Sequence, residues 1–80
     1  MRLSELPMGA AGTVRTVDDH APDDAIARRL RDLGFVSGEP VRLLARGMFG
    51  REPLLVQVGF TRFALRVTEA ERIRINPVLQ

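Results

Sequence analysis

The chain has no cysteine, lysine, tryptophan or tyrosine, and a single histidine. Each absence narrows what it can do. Without cysteine there is no disulfide framework of the kind that holds small secreted folds together, and no thiolate metal site. A reducing compartment is therefore expected. Without lysine there is no phosphate-binding loop of the Gly-x-x-x-x-Gly-Lys type. Ser4 and Ser37 lack the Gly-x-Ser-x-Gly setting of an activated serine. With one histidine besides, the chain is not expected to be an enzyme. Without tryptophan or tyrosine there is no obvious platform on which bases would stack, so nucleic-acid binding is not expected. No apolar run approaches the roughly 18 residues that cross a bilayer. The opening Met-Arg-Leu-Ser-Glu-Leu-Pro has no apolar stretch of the signal-peptide kind. The cytoplasm is the expected location.

The 80 residues form one domain, 1–80, with a small core and a thin stability margin. All 12 bases are arginine, against 10 acids, so the net charge is only +2. An arginine-only set of bases drives the isoelectric point very high. A partner responds to net charge and its distribution instead. Arg28, Arg29 and Arg31 on the helix could face acidic protein or phosphate, or form a solvated face with internal ion pairs.

Seven glycines and five prolines are scattered as punctuation, which suits many short elements joined by tight turns. Ser4 to Gly9 reads as a turn or a single helical turn. Residues 12–17, Gly-Thr-Val-Arg-Thr-Val, read as a strand, and the spacing of Val14 and Val17 predicts a bulge. A helix follows. Pro22 is placed at its start, and Asp23 and Asp24 in its first turn, where the helix dipole favours negative charge. Ile26, Leu30 and Leu33 form its apolar stripe, Asp24 and Arg28 are spaced to pair, and the other arginines face away. Gly34 is placed to end the helix in a left-handed conformation, with Phe35 folding back on Leu30.

After Gly38 the apolar residues alternate. Val41, Leu43 and Ala45 predict one strand; Leu54, Val56 and Val58 another. Phe63, Leu65 and Val67 predict a third, and Ile73 and Ile75 a fourth. Thr68 to Glu71 reads as one helical turn capped by Thr68. Phe35, Phe60 and Phe63 are assigned to the core. Arg62, Arg66, Arg72 and Arg74 are assigned to outward strand positions. Five short strands and one helix cannot make a useful two-layer sandwich. They can make a small closed or nearly closed barrel, SH3-like or OB-like, with the helix over one end.

The punctuation also carries a resemblance. Leu3-Ser4-Glu5-Leu6, Gly9 and Gly12-x-Val14 are followed by Arg29-Leu30-x-x-Leu33-Gly34-Phe35-x-x-Gly38. Gly50 and Pro53 come next, then Ala64-Leu65-Arg66 and Glu69-Ala70. In this order and spacing, from Leu3 to Ile75, the chain resembles the FeoA family. Arg51 and Glu52 separate Gly50 from Pro53, where that family often has one residue. The resemblance implies a mainly β fold: a five-stranded SH3-like barrel with one covering helix and short helical turns. It also implies a cytoplasmic accessory role in ferrous iron uptake, as an interaction module on a FeoB-like GTP-binding permease. The same barrel resembles the C-terminal domain of DtxR-type repressors. The alternative is therefore a stand-alone SH3-like domain in transcription regulation or RNA binding.

Two groups of residues stand out as candidate sites. The loop from Gly47 to Pro53 puts Met48 and Phe49 at a hairpin tip, and Leu44 and Leu55 lie at outward positions on its two strands. If exposed, they form together the expected partner-binding patch; the alternative is that Met48 and Phe49 fold back over the barrel end and Leu44 and Leu55 lie under the helix. Asp18, Asp19, His20 and Asp23 form the metal-like cluster. One imidazole among carboxylates can hold a divalent ion weakly, but a structural site needs about four ligands, often with cysteine or a second histidine. Capping and solvated turns account for the same residues equally well. No tightly held cofactor is expected, and the outward arginines favour a monomer.

Overall fold

The computed structural model describes residues 1–49 and 52–78, with the side chains of residues 48 and 49 excepted. The chain opens on a single 3₁₀ turn at Leu3–Glu5, then runs through β1 (Ala11–Val17) and α1 (Ala25–Asp32) to β2 (Pro40–Phe49). It continues with β3 (Glu52–Val58), β4 (Thr61–Leu65), a one-turn α2 (Val67–Ala70) and β5 (Ile73–Pro77). The strands form one sheet in the order β4-β3-β2-β1-β5, antiparallel throughout. β4 and β5 are its edges. Helices α1 and α2 and the 3₁₀ turn pack into one core with the strands.

The alternation read from the sequence sets the inner face. Val41, Leu43, Leu54, Val56, Val58, Leu65, Ile73 and Ile75 are all buried. Register shifts mark where the strands bend. One lies between Val14 and Thr16 on β1 against β5, as the Val14/Val17 spacing predicts. Another lies between Leu43 and Ala45 on β2 against β3, where an extra residue tightens the local twist. Arg46 ties the 3₁₀ turn to the sheet, its Nη2 donating to the carbonyls of Ser4 at 2.7 Å and Leu6 at 2.8 Å.

Helix α1 starts later than the sequence predicts. Asp24 is its cap, with Oδ1 accepting the N–H groups of Ile26 at 3.1 Å and Ala27 at 3.2 Å. A carboxylate satisfying these otherwise unpaired donors is a stronger start signal than proline at the first position. Pro22 and Asp23 therefore belong to the preceding turn, and Asp23 takes a positive φ of 57°. This phase centres the buried stripe on Ala27 and Leu30. Leu33 is half-buried and Ile26 lies exposed at the flank. The far end follows expectation. Gly34, at φ 114°, donates to the carbonyl of Arg31, and the N–H of Phe35 bonds the carbonyl of Leu30, each at 3.1 Å. These are the two bonds of a Schellman ending.

Three further assignments are corrected. Phe60 is fully exposed, at 104%, because it occupies the tight turn between β3 and β4, where a side chain points away from both strands. Helix α2 is capped at Arg66, not Thr68, so Val67 begins the helix instead of ending a strand. The Arg66 N–H donates to Glu69 Oε1 at 2.7 Å. Arg72 lies in the turn before β5 and points inward, to Asp24.

Candidate functional site

The turn between β1 and α1 collects four carboxylates and the histidine, and arginine claims each carboxylate. Asp18 accepts from Arg74 on β5. Asp19 pairs with Arg31 of α1 at 3.2 Å. Asp23 pairs with Arg28, the partner that the sequence spacing assigns to Asp24. Asp24 instead turns inward to Arg72 at 2.8 Å. His20 is exposed, and its backbone N–H donates to Asp24 Oδ2 at 2.9 Å. The Arg72 hydrogen bond, more than any other contact, holds the Asp24 carboxyl well below the usual carboxylate range, and the His20 N–H adds to it. Among the described residues, no three His, Cys, Asp or Glu side chains are gathered to hold a metal ion. The residues proposed from sequence are thus brought near one another without converging. A metal there would share each carboxylate with a guanidinium and meet its positive charge at close range.

At the hairpin, Leu44 and Leu55 are half-buried. Leu44 occupies the register shift of β2, and Leu55 faces Ala45 across the β2–β3 ladder and Ala64 across the β3–β4 ladder. The Met48 and Phe49 side chains, with Gly50 and Arg51, lie outside the described residues.

A further concavity, not anticipated from sequence, lies between α1, α2 and the ends of β3 and β4. It is a groove of about 540 Å³ lined by Ile26, Arg29, Pro53, Ala64, Leu65, Arg66, Thr68 and Glu69. Ile26, 39% exposed, lies on its wall beside Arg29. Arg29 and Arg66 make no ion pair among the described residues. No single position in the sequence signals it, because it forms where α1, α2 and the strand ends meet. The described residues contain no helix long and apolar enough to cross a membrane.

The FeoA domain family matches residues 1–77. The chain is similar to Stenotrophomonas maltophilia FeoA in complex with zinc, described as a prokaryotic SH3-domain protein and candidate ferrous iron transport activating factor. The two are 60% identical over 95% of this chain and 89% of that one, with a TM-score of 0.88. Chlorobium tepidum FeoA is 33% identical over 99% of this chain and 71% of that one, with a TM-score of 0.84. A manganese-dependent transcriptional repressor shares the fold over 98% of this chain and 41% of its own, at 23% identity and a TM-score of 0.81. No curated protein matches the chain. The architecture is the SH3-like one expected from the sequence.

Proposed function

Because this chain belongs to the FeoA family, we propose that it is a cytoplasmic, non-enzymatic accessory protein of ferrous iron uptake that docks on a FeoB-like GTP-binding permease. The observation that carries this reading is the 60% identity, over nearly the whole chain, to a protein described as a candidate ferrous iron transport activating factor. The surface chemistry supports contact over catalysis. The exposed apolar residues, including Phe60 and Ile26, are carried on a small scaffold, as suits a module recognised by a larger partner. The protein works as a monomer, with arginines along its outward faces. Ferrous iron is the cargo of the permease, and any divalent ion bound by this chain is held weakly. The acidic turn is a poor fit for a resident metal, since guanidiniums already occupy its carboxylates.

The test is capture of a FeoB-like permease from detergent-solubilised membranes by the tagged protein, together with the permease GTPase rate with and without it. Stoichiometric capture or a changed rate supports the reading. Neither capture nor a rate effect with a folded permease overturns it.

A further inference from the structure

Three surface features lie outside the acidic turn and the hairpin: the groove, the lone Phe60 at its turn, and the smaller hollow beside Arg15 and Val36. Among the described residues the groove sets two arginines without partners, Arg29 and Arg66, against an apolar wall, where the hollow has one, Arg15. Ile26 and Arg29, three residues apart on α1, share one helix face. Pro53, Ala64 and Leu65 supply further apolar lining, and Arg66 stands where β4 passes into α2. Leu55 pairs with Ala64 on the neighbouring strand, so it extends the same face of the sheet.

The charges are asymmetric in how they are used. Glu69 is bonded to the backbone N–H of Arg66, and nearby Glu52 to that of Val67, both at 2.7 Å. These carboxylates already cap the start of α2. The guanidiniums of Arg29 and Arg66 donate to nothing among the described residues. Elsewhere on the molecule Arg28, Arg31, Arg72 and Arg74 are each paired with an aspartate, and Arg42 and Arg46 with backbone carbonyls. The groove lining therefore keeps a net positive charge with two forked donors free beside apolar surface.

We propose that this groove is a docking site for an acidic amphipathic peptide segment of the partner. An apolar side chain would rest against Ile26 and Ala64, and carboxylates would meet Arg29 and Arg66. Guanidinium matches carboxylate bidentately, and clusters of arginine are a recurrent means of reading acidic motifs. The volume is of the order that accepts a few side chains rather than a folded surface. This deepens the docking reading and rests on it for the identity of the partner.

The experiment is a titration of the ¹⁵N-labelled protein with a capped peptide of alternating glutamate and leucine, with a lysine–leucine peptide as control. The expected shifts map to Ile26, Arg29, Ala64 and Thr68 and occur with the acidic peptide alone. Replacing both cations, Arg29→Gln with Arg66→Gln, weakens binding about tenfold, from two partly exposed pairs. Ile26→Ser weakens it too, without lowering the melting temperature. Arg15→Gln removes the same charge from β1 and leaves affinity within about twofold, as a remote surface charge should. Shifts spread over the surface, equal binding of the lysine peptide, or an equal loss with Arg15→Gln would overturn the site. Permease capture is read separately with the wild-type protein, so the groove can fail while the docking reading stands, or the reverse.

Discussion

Arg72, in the turn before β5, reaches Asp24 at the start of α1, its Nε donating to Oδ2 at 2.8 Å across 48 positions of sequence. The two side chains are 12% and 4% exposed. The same carboxylate caps the helix and accepts the N–H of His20. One buried charge thus joins the acidic turn, α1 and the entry to the last strand. Such a pair stays favourable only while every lone pair is used.

The first prediction follows from the depressed pKa of Asp24, whose ordinary value is 3.8. The folded state binds this proton less readily than the unfolded chain. The stabilisation is therefore fully present at neutral pH and is lost as pH falls below about 3.8 toward the lower folded value. Asp24→Asn lowers the melting temperature at pH 7. It also flattens the dependence of melting temperature on pH between about 5 and 2. Thermal melts across that range check both. A variant as steeply acid-sensitive as the wild type would assign acid unfolding to other carboxylates.

The second prediction separates two reasons for a glycine. At Gly34 an added Cβ meets nothing within 4 Å, but φ is 114°. Gly34→Val therefore costs more than about 1 kcal/mol through backbone conformation alone. At Gly12 no left-handed φ is required, yet an added Cβ lies 2.6 Å from the carbonyl oxygen of Asn76. Gly12→Ala must push β1 from β5 and costs about 1–3 kcal/mol. Chemical denaturation measures both. Amide exchange distinguishes them: faster exchange is expected at Val78, which bonds to Ala11, in the second variant and not locally in the first.

The third concerns two phenylalanines that look alike in sequence. Phe35 is buried, its ring 6.0 Å from that of Phe63, and Phe35→Ala costs about 3–5 kcal/mol, enough to threaten folding in a domain this small. Phe60 is solvent-exposed, and Phe60→Ser changes stability by no more than about 0.5 kcal/mol. Equal destabilisation in denaturant titrations would return Phe60 to the core.

What the sequence made legible was local. Alternation at residues 41–43 and 54–58 set the inner faces of β2 and β3, and the run Leu33-Gly34-Phe35 set the helix end. The bulge at Leu44, however, puts Ala45 opposite Leu55 on the outward face, against the sequence alternation. What it hid was long-range or degenerate. Nothing near Asp24 in the sequence announces Arg72, and Arg28 stands at the textual spacing of a helical partner. Phe60 follows a glycine in a two-residue turn, where periodicity carries no information. The groove depends on how closely α1 approaches the end of the sheet, which is a property of packing and not of any one segment.

The fourth prediction addresses metal. Coordination at the acidic turn must use carboxylates already paired, Asp18 with Arg74, Asp19 with Arg31 and Asp23 with Arg28, while the exposed His20 has no such competitor among the described residues. Zinc or ferrous iron added to the purified protein therefore binds weakly at best, and His20→Ala removes what binding there is. Isothermal titration checks this. Tight one-to-one binding that survives His20→Ala would place a site elsewhere.

The last prediction asks whether contact or metal carries the function. In an interaction module, large side chains at a desolvated contact dominate and rim charges add little. Two large apolar residues, Met48 and Phe49, fall at the end of β2, where the chain turns toward β3. Met48→Ala combined with Phe49→Ala is expected to impair ferrous iron uptake while leaving the circular dichroism spectrum unchanged. Asp18→Asn and Asp19→Asn each remove one exposed or half-exposed ion pair, worth no more than about 1 kcal/mol. Their uptake should match the wild type. Iron accumulation is measured in cells lacking the native gene and complemented with each variant. Contact as the working principle requires the apolar double variant to fail and the aspartate variants to succeed. The opposite pattern, with normal uptake from the double variant and none from the aspartate variants, would move the function to the acidic turn.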